Sequence, residues 1–83
     1  MKTEYTFETT LNMGDYQHIV TMKIYNCRMH PNKWSWQVDG LSNGYLIHIA
    51  RTKGRGSAGP FNSANNAMKN AEKHGVIAPE GFY

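Results

Sequence analysis

The sequence has few of the features that mark a secreted, membrane-spanning or disordered chain. A single cysteine, Cys27, excludes an internal disulfide and predicts an intracellular, cytoplasmic protein. No apolar run approaches the ~20 residues of a membrane-spanning helix, and no signal peptide follows Met1, so we expect no membrane partner. Hydrophobic residues make up 40% of the chain and aromatic residues 12%, which favours a packed core over disorder.

The chain is also short, with 83 residues. This length predicts a single domain over residues 1–83 and modest stability, because a chain of this size buries only about two-thirds of its unfolded surface. Since the chain begins at Met1 and carries no linker, we expect a complete small protein.

Acidic residues are scarce, with six Asp and Glu against nine Lys and Arg and a net charge of +3. This balance excludes a protein that mimics DNA by negative charge, and it is compatible with an anionic partner. The excess charge lies in the middle of the chain, where Asp39 is the single acid of residues 27–63. The basic residues of this stretch are Arg28, Lys33, Arg51, Lys53 and Arg55.

Up to about Thr52, apolar residues recur at every second position, which predicts strands. Residues 39–44 are dense in turn formers, and residues 26–33 are predicted as a loop because Pro31 would interrupt a ladder. Neither face of the second strand is plainly polar, so its core face stays open. The predicted strands are Thr3–Leu11, Tyr16–Tyr25, Trp34–Val38 and Tyr45–Arg51.

After residue 61 the spacing changes to three and four, which predicts one helix over Asn62–His74. Asn62 or Ser63 is the expected N-cap, and Gly75 is the expected left-handed end. Small residues on one helix face would allow close approach to a sheet. We therefore predict an α+β fold with a four-stranded antiparallel sheet and one C-terminal helix packed on one face (ββββα).

The strongest candidate for a binding segment is Lys53–Pro60, here called the basic hinge. Arg51, Lys53 and Arg55 alternate, so their side chains can project together, and the glycines allow backbone N–H groups to approach an anion. The segment is not a Walker motif, because no Gly-Lys-Ser/Thr closes it. The alternative interpretation is a strand-to-helix loop without a ligand.

Aromatic residues offer a second set of contacts. Trp34 and Trp36 lie two apart on a predicted strand and share a face, so they can stack on bases or form the core beneath the helix. Tyr45 is a further candidate contact, since exposed aromatic residues beside arginines are typical of protein interfaces.

The sequence shows no convincing catalytic or metal-binding motif. Cys27 and His30 make half of a zinc site, but no second close pair follows. Glu4 and Glu8 are four apart on one strand face, which a charged solvent face explains. We therefore predict a protein that is not an enzyme and has no catalytic residues, metal or cofactor.

Half of the chain resembles two groups of small sheet-plus-helix proteins. The pattern consists of Lys33-Trp34-Ser35-Trp36-Gln37-Val38, turns at Gly40 and Gly44, and Phe61-x-Ser63 before spaced alanines. One group is the phage-encoded host-defence inhibitors of anti-CRISPR type, and this resemblance implies an inhibitor that occupies a partner's surface in the host cytoplasm. The other is the DNA-binding domain of the AP2 and integrase-arm kind, whose strands carry arginines where this chain has apolar, hydroxyl and acidic residues.

The resulting prediction is a small non-enzymatic binding protein that inhibits or modulates a protein or nucleoprotein complex. The alternative is a basic nucleic-acid-binding domain, and an exposed edge strand also allows a homodimer. The predicted partner-binding residues are Arg51, Lys53, Arg55, Lys33 and Arg28, with aromatic contacts from Trp34, Trp36 and Tyr45.

Overall fold

The computed structural model describes residues 4–27, 30–52 and 61–83, without the side chains of Cys27 and Pro31. The strands lie in chain order, each antiparallel to the next, and one helix follows them, which confirms the predicted ββββα fold. The elements are β1 (Glu4–Met13), β2 (Tyr16–Cys27), β3 (His30–Ser42), β4 (Tyr45–Arg51) and α1 (Ala64–Lys73).

The hairpins β1–β2 and β3–β4 each turn through only two residues. Gly14 takes a φ of +72° between β1 and β2, while Asn43 and Gly44 take +52° and +81° between β3 and β4, as in a type I′ turn. Because the turns are this tight, β1 and β3 run two and four residues past their predicted ends. The predicted turn over residues 39–44 is therefore wrong for its first four residues, whereas β4 has the predicted bounds.

The connection between β2 and β3 differs most from expectation. Residues 26–33 were predicted as a loop, but β2 continues to Cys27 and β3 begins at His30. The register slips directly after the pair formed by Asn26 and Trp34. Such an irregularity leaves residues of one strand without a partner, which accommodates a proline in a strand.

The core lies on one face of the sheet, beneath α1. On β2 this face carries Val20, Met22 and Ile24, which decides between the two faces that the sequence left open. The helix contributes its small-residue face, as predicted from the spacing of the alanines. The buried apolar residues are Leu11, Val20, Met22, Ile24, Trp36, Val38, Ala67, Met68, Ala71 and Val76.

Both ends of α1 are defined by specific backbone contacts. Ser63 is the N-cap, because its hydroxyl accepts from the Asn66 N–H at 3.1 Å. Gly75 follows the helix with a φ of +96° and ends it as predicted. The chain then returns to β1, where buried Val76 forms a bridge with Leu11.

Candidate functional site

The centre of the open face, opposite α1, is polar and internally paired. The Lys23 Nζ lies 2.9 Å from the Glu4 Oε1 and 5.4 Å from the centre of the Tyr25 ring. The hydrogen bond with Glu4 raises the pKa of Lys23 above its ordinary value. Lys23 therefore has a carboxylate partner within the chain.

Asp39 is a buried acid on the same face, with 6% of its surface exposed. Its carboxylate accepts from the Gln37 Nε2 at 3.0 Å and contacts the Nδ1 of His48. This contact joins β3 to β4 beside their register shift between Val38 and Asp39. No group of three metal-ligating side chains occurs in the described ranges, and we interpret the pair of Asp39 and His48 as a link between strands.

Large apolar side chains are exposed where the sheet carries both hairpin turns. Their exposed fractions run from 45% for Ile47 to 76% for Ile19. We call this set the apolar end. Its members are Met13, Tyr16, Ile19, Leu41, Tyr45, Leu46 and Ile47.

On the face that α1 covers, the members of the apolar end are exposed because the strands extend beyond the helix, and its members on the open face lie where α1 does not pack. The ten residues of α1 span about 15 Å, whereas the molecule is 35 Å long. The helix packs on β2 and β3. At its C-terminal end, the indole of Trp36 donates to Asn70 and contacts the ring of His74. The last four residues of β3, beyond the level of Val38, extend past this contact.

The apolar end occupies both faces of the sheet beside β4. Leu41 pairs with Leu46, and these side chains lie on the open face, as Ile19 of β2 does. Tyr45 and Ile47 alternate with Leu46 and lie on the opposite face. A partner that meets this end would therefore contact apolar groups on two sides of β4.

The predicted basic contacts are dispersed rather than clustered. Lys33 is exposed, and its Nζ donates to the Asn62 Oδ1 at 2.8 Å. Arg51 is exposed opposite Gln37 and forms no ion pair with another described residue. Three of the predicted contacts lie outside the described residues, namely Arg28, Lys53 and Arg55.

The predicted aromatic contacts divide between core and surface. Trp36 is fully buried, so its prediction as a surface contact is wrong and its alternative role in the core is the observed one. Trp34 is half-buried, with its ring centre 5.9 Å from that of Tyr5. Tyr45 is 75% exposed, but about 30 Å of β3 separates its hairpin partner from Lys33. The predicted contacts therefore do not form one site.

The basic hinge is flanked by two residues that bond to β3. The Thr52 N–H donates to the Trp36 carbonyl at 2.9 Å, and the Trp34 N–H donates to the Phe61 carbonyl at 2.7 Å. Thr52 and Phe61 therefore sit beside positions of β3 about 7 Å apart. The hinge residues themselves lie outside the described residues.

The apolar end was missed at the level of sequence, although the sequence held a signal for it. Ile19 is next to Val20, and Leu46 lies between Tyr45 and Ile47. Because neighbouring residues of a strand lie on opposite faces, both faces of these strands carry large hydrophobic groups. Such two-sided strands need cover on both faces. The one helix among the described residues can cover only one of them.

Comparisons with protein-family models, with curated proteins and with solved structures find no match. No helix within the described ranges is long and apolar enough to cross a membrane.

Proposed function

We propose that the chain is a small non-enzymatic binding protein that occupies the surface of a protein or nucleoprotein complex through its apolar end. The observation that carries this proposal is the exposure of seven large apolar side chains at one end of the sheet. Large apolar side chains exposed together at one end of a fold are typical of interaction sites. Tyr16 and Tyr45 add the side-chain type that often dominates binding energy.

The open face favours a protein partner over direct binding to nucleic acid. Phosphate binding needs cations that are free to approach the backbone of the nucleic acid. Here Lys23 is paired with Glu4, and Glu8 and Asp39 add further negative groups to the face. Of the described cations of the strands, Arg51 and Lys33 lack a carboxylate partner, and Lys33 donates to the Asn62 amide oxygen.

The inhibitor form of the proposal draws on the resemblance to anti-CRISPR-type proteins. In this form the apolar end holds a protein surface, while Arg51, Lys53 and Arg55 meet acidic groups or nucleic acid of the same complex. Expression of the chain in a host with active CRISPR defence should then restore plaques of a targeted phage. Unchanged plaque counts would contradict the inhibitor form. The general binding role is tested separately, by capture of a partner.

Capture from cell extract, followed by quantitative mass spectrometry, tests the binding role. We expect Ile19→Lys to reduce recovery of a stoichiometric partner by about tenfold, because it places a charge in the apolar end. Thr6→Lys is the control, since Thr6 is exposed on the same face as Ile19 but lies opposite Lys23, away from the apolar end. Equal recovery by both variants would contradict the assigned surface.

A second measurement addresses the alternative of nucleic-acid binding. Fluorescence anisotropy with duplex DNA and with single-stranded RNA at low salt should show no binding at micromolar protein. Binding that weakens steeply with added salt would instead support the nucleic-acid domain.

A further inference from the structure

The two edges of the sheet differ in what covers them. On the outer side of β1, the Asn12 N–H donates to the Gly75 carbonyl at 2.7 Å and the Ile77 N–H donates to the Thr10 carbonyl at 3.0 Å. The rest of β1 carries glutamates, which disfavour pairing with another strand. No described residue pairs with the outer side of β4.

The sequence of β4 also lacks the usual protection of an edge strand. Residues 45–50 contain no Lys, Arg, Asp, Glu or Pro, which are the residues that natural edges use against pairing. Tyr45, Leu46 and Ile47 are 75%, 65% and 45% exposed. The register shift opposite Asp39 bends the strand farther on, so the free edge is short.

The hairpin geometry shows which backbone groups of β4 face outwards. Ser42 and Tyr45 flank a two-residue turn, so they bond to each other across the hairpin. In an antiparallel strand the N–H and C=O of one residue point to the same side, and this side alternates from one residue to the next. Because those of Tyr45 point towards β3, those of Leu46 point away from it.

We propose that two copies of the chain dimerise by antiparallel pairing of their β4 strands about a two-fold axis that passes between the two copies of Leu46. Opposed residues of an antiparallel pair share a face, so an axis normal to the sheet must pass midway between two copies of the same residue. This axis sets Leu46 against the same residue of the second copy and Tyr45 against Ile47. The product is one continuous sheet of eight strands, twice the four of one copy. Pairing of β4 with itself closes the assembly, whereas pairing with the covered edge of β1 would extend it.

The area available predicts a weak dimer. The exposed parts of Leu41, Tyr45, Leu46 and Ile47 supply on the order of 500 Å² per copy, against about 800 Å² per partner in a standard interface. Association should therefore appear at micromolar to millimolar concentration. This inference rests on the proposed function in assigning the apolar end to binding, and it leaves the members of the β1–β2 hairpin free for another protein.

Sedimentation velocity over a concentration series tests the dimer. The wild-type chain should show concentration-dependent association, and Leu46→Lys should weaken that association by about tenfold or more. Ile19→Lys makes the same change on the same face of β2, away from the free edge, and should associate as the wild type does.

Charge complementation tests the position of the axis. Leu46→Lys and Leu46→Glu should each be monomeric alone and should form a mixed dimer when combined, because the axis places the two side chains opposite each other. A wild-type chain that stays monomeric to millimolar concentration would overturn the proposal. So would an Ile19→Lys variant whose association is as weak as that of Leu46→Lys, or a mixture of the two Leu46 variants that does not associate. If the dimer is absent but a partner is still captured, the dimer proposal fails and the proposed function stands. If the dimer forms but no partner is captured, the proposed function fails and the dimer stands.

Discussion

The indole nitrogen of Trp36 donates a hydrogen bond to the Asn70 Oδ1, 3.0 Å away, and thereby links the centre of the sheet to the helix. Trp36 is fully buried, so its single side-chain donor has no access to water. Its backbone N–H is satisfied separately by the Thr52 hydroxyl at 2.7 Å. The most buried aromatic residue of the sheet therefore depends on one polar residue of α1.

Asn70→Ala should destabilise the fold by roughly 1–3 kcal/mol, because it leaves the buried indole N–H without an acceptor. Chemical denaturation measures the change in the free energy of unfolding. Asn65→Ala is the matched control, since Asn65 is an exposed residue of the same helix and gains the same helix propensity. Equal stability of the two variants would show that this hydrogen bond contributes nothing.

Gly75→Ala should be more costly than Gly81→Ala, although both glycines have positive φ, at +96° and +80°. A Cβ on Gly75 would lie 2.1 Å from the carbonyl oxygen of Asn12, whereas a Cβ on Gly81 would meet nothing within 4 Å. We expect about 1 kcal/mol for the strained backbone at Gly81, and at least about 2 kcal/mol at Gly75, where the backbone of β1 must also move. Thermal and denaturant unfolding of both variants provide the comparison, and equal losses would contradict close packing of the C-terminal segment on β1.

Tyr83→Phe should remove an alkaline titration step. Partial burial, followed by the hydrogen bond to the Glu72 carboxylate, raises the pKa of Tyr83 to about 12. The folded chain thus favours the neutral phenol, so this stabilisation is complete below pH ~10 and is lost as the pH rises through about 12.

Absorbance of tyrosinate against pH, together with unfolding at each pH, measures this effect. The stability of the Tyr83→Phe variant should depend less on pH in this interval than that of the wild type. Tyr45→Phe is the control, because Tyr45 is an exposed residue of the apolar end and its loss should leave the late step in place. A late step that persists in Tyr83→Phe would contradict the assignment.

Asp39→Ala should cost about 1.5–3 kcal/mol, because Gln37 and His48 both lose a charged hydrogen-bond partner. Glu8→Ala removes the same charge from the same face, but Glu8 is exposed, so the change should stay within about 0.5 kcal/mol. Urea denaturation of the two variants gives the difference. A small loss for Asp39→Ala would show that the contact between β3 and β4 does not depend on this carboxylate.

The parts of the fold that depend on local signals were predictable. The bounds of β4 follow from the turn formers before Tyr45 and from regular alternation after it, and the helix face follows from the spacing of its alanines. The ends of β3 were not predictable in this way. Asp39 and Gly40 are turn residues by composition, yet pairing with β4 holds them in the strand.

The candidate site was less predictable than the fold. Charge and aromatic content directed attention to the basic hinge and to Trp36, but Trp36 is in the core. The apolar end depends on which face α1 covers and on where it lies along the sheet, and both are properties of the packed molecule. Local sequence shows that Ile19 and Leu46 are apolar without showing whether anything covers them.

The order and type of the elements follow from local sequence, because hydrophobic period, turn residues and caps act over a few neighbouring positions. Local sequence therefore specified four strands and one alanine-faced helix in this order. Tertiary structure alone decided which face of β2 is buried, that Trp36 bonds to Asn70, and that one end of the sheet stays uncovered. These features arise from contacts between residues far apart in the chain. The position of a short helix on longer strands decides which side chains are buried and which remain exposed.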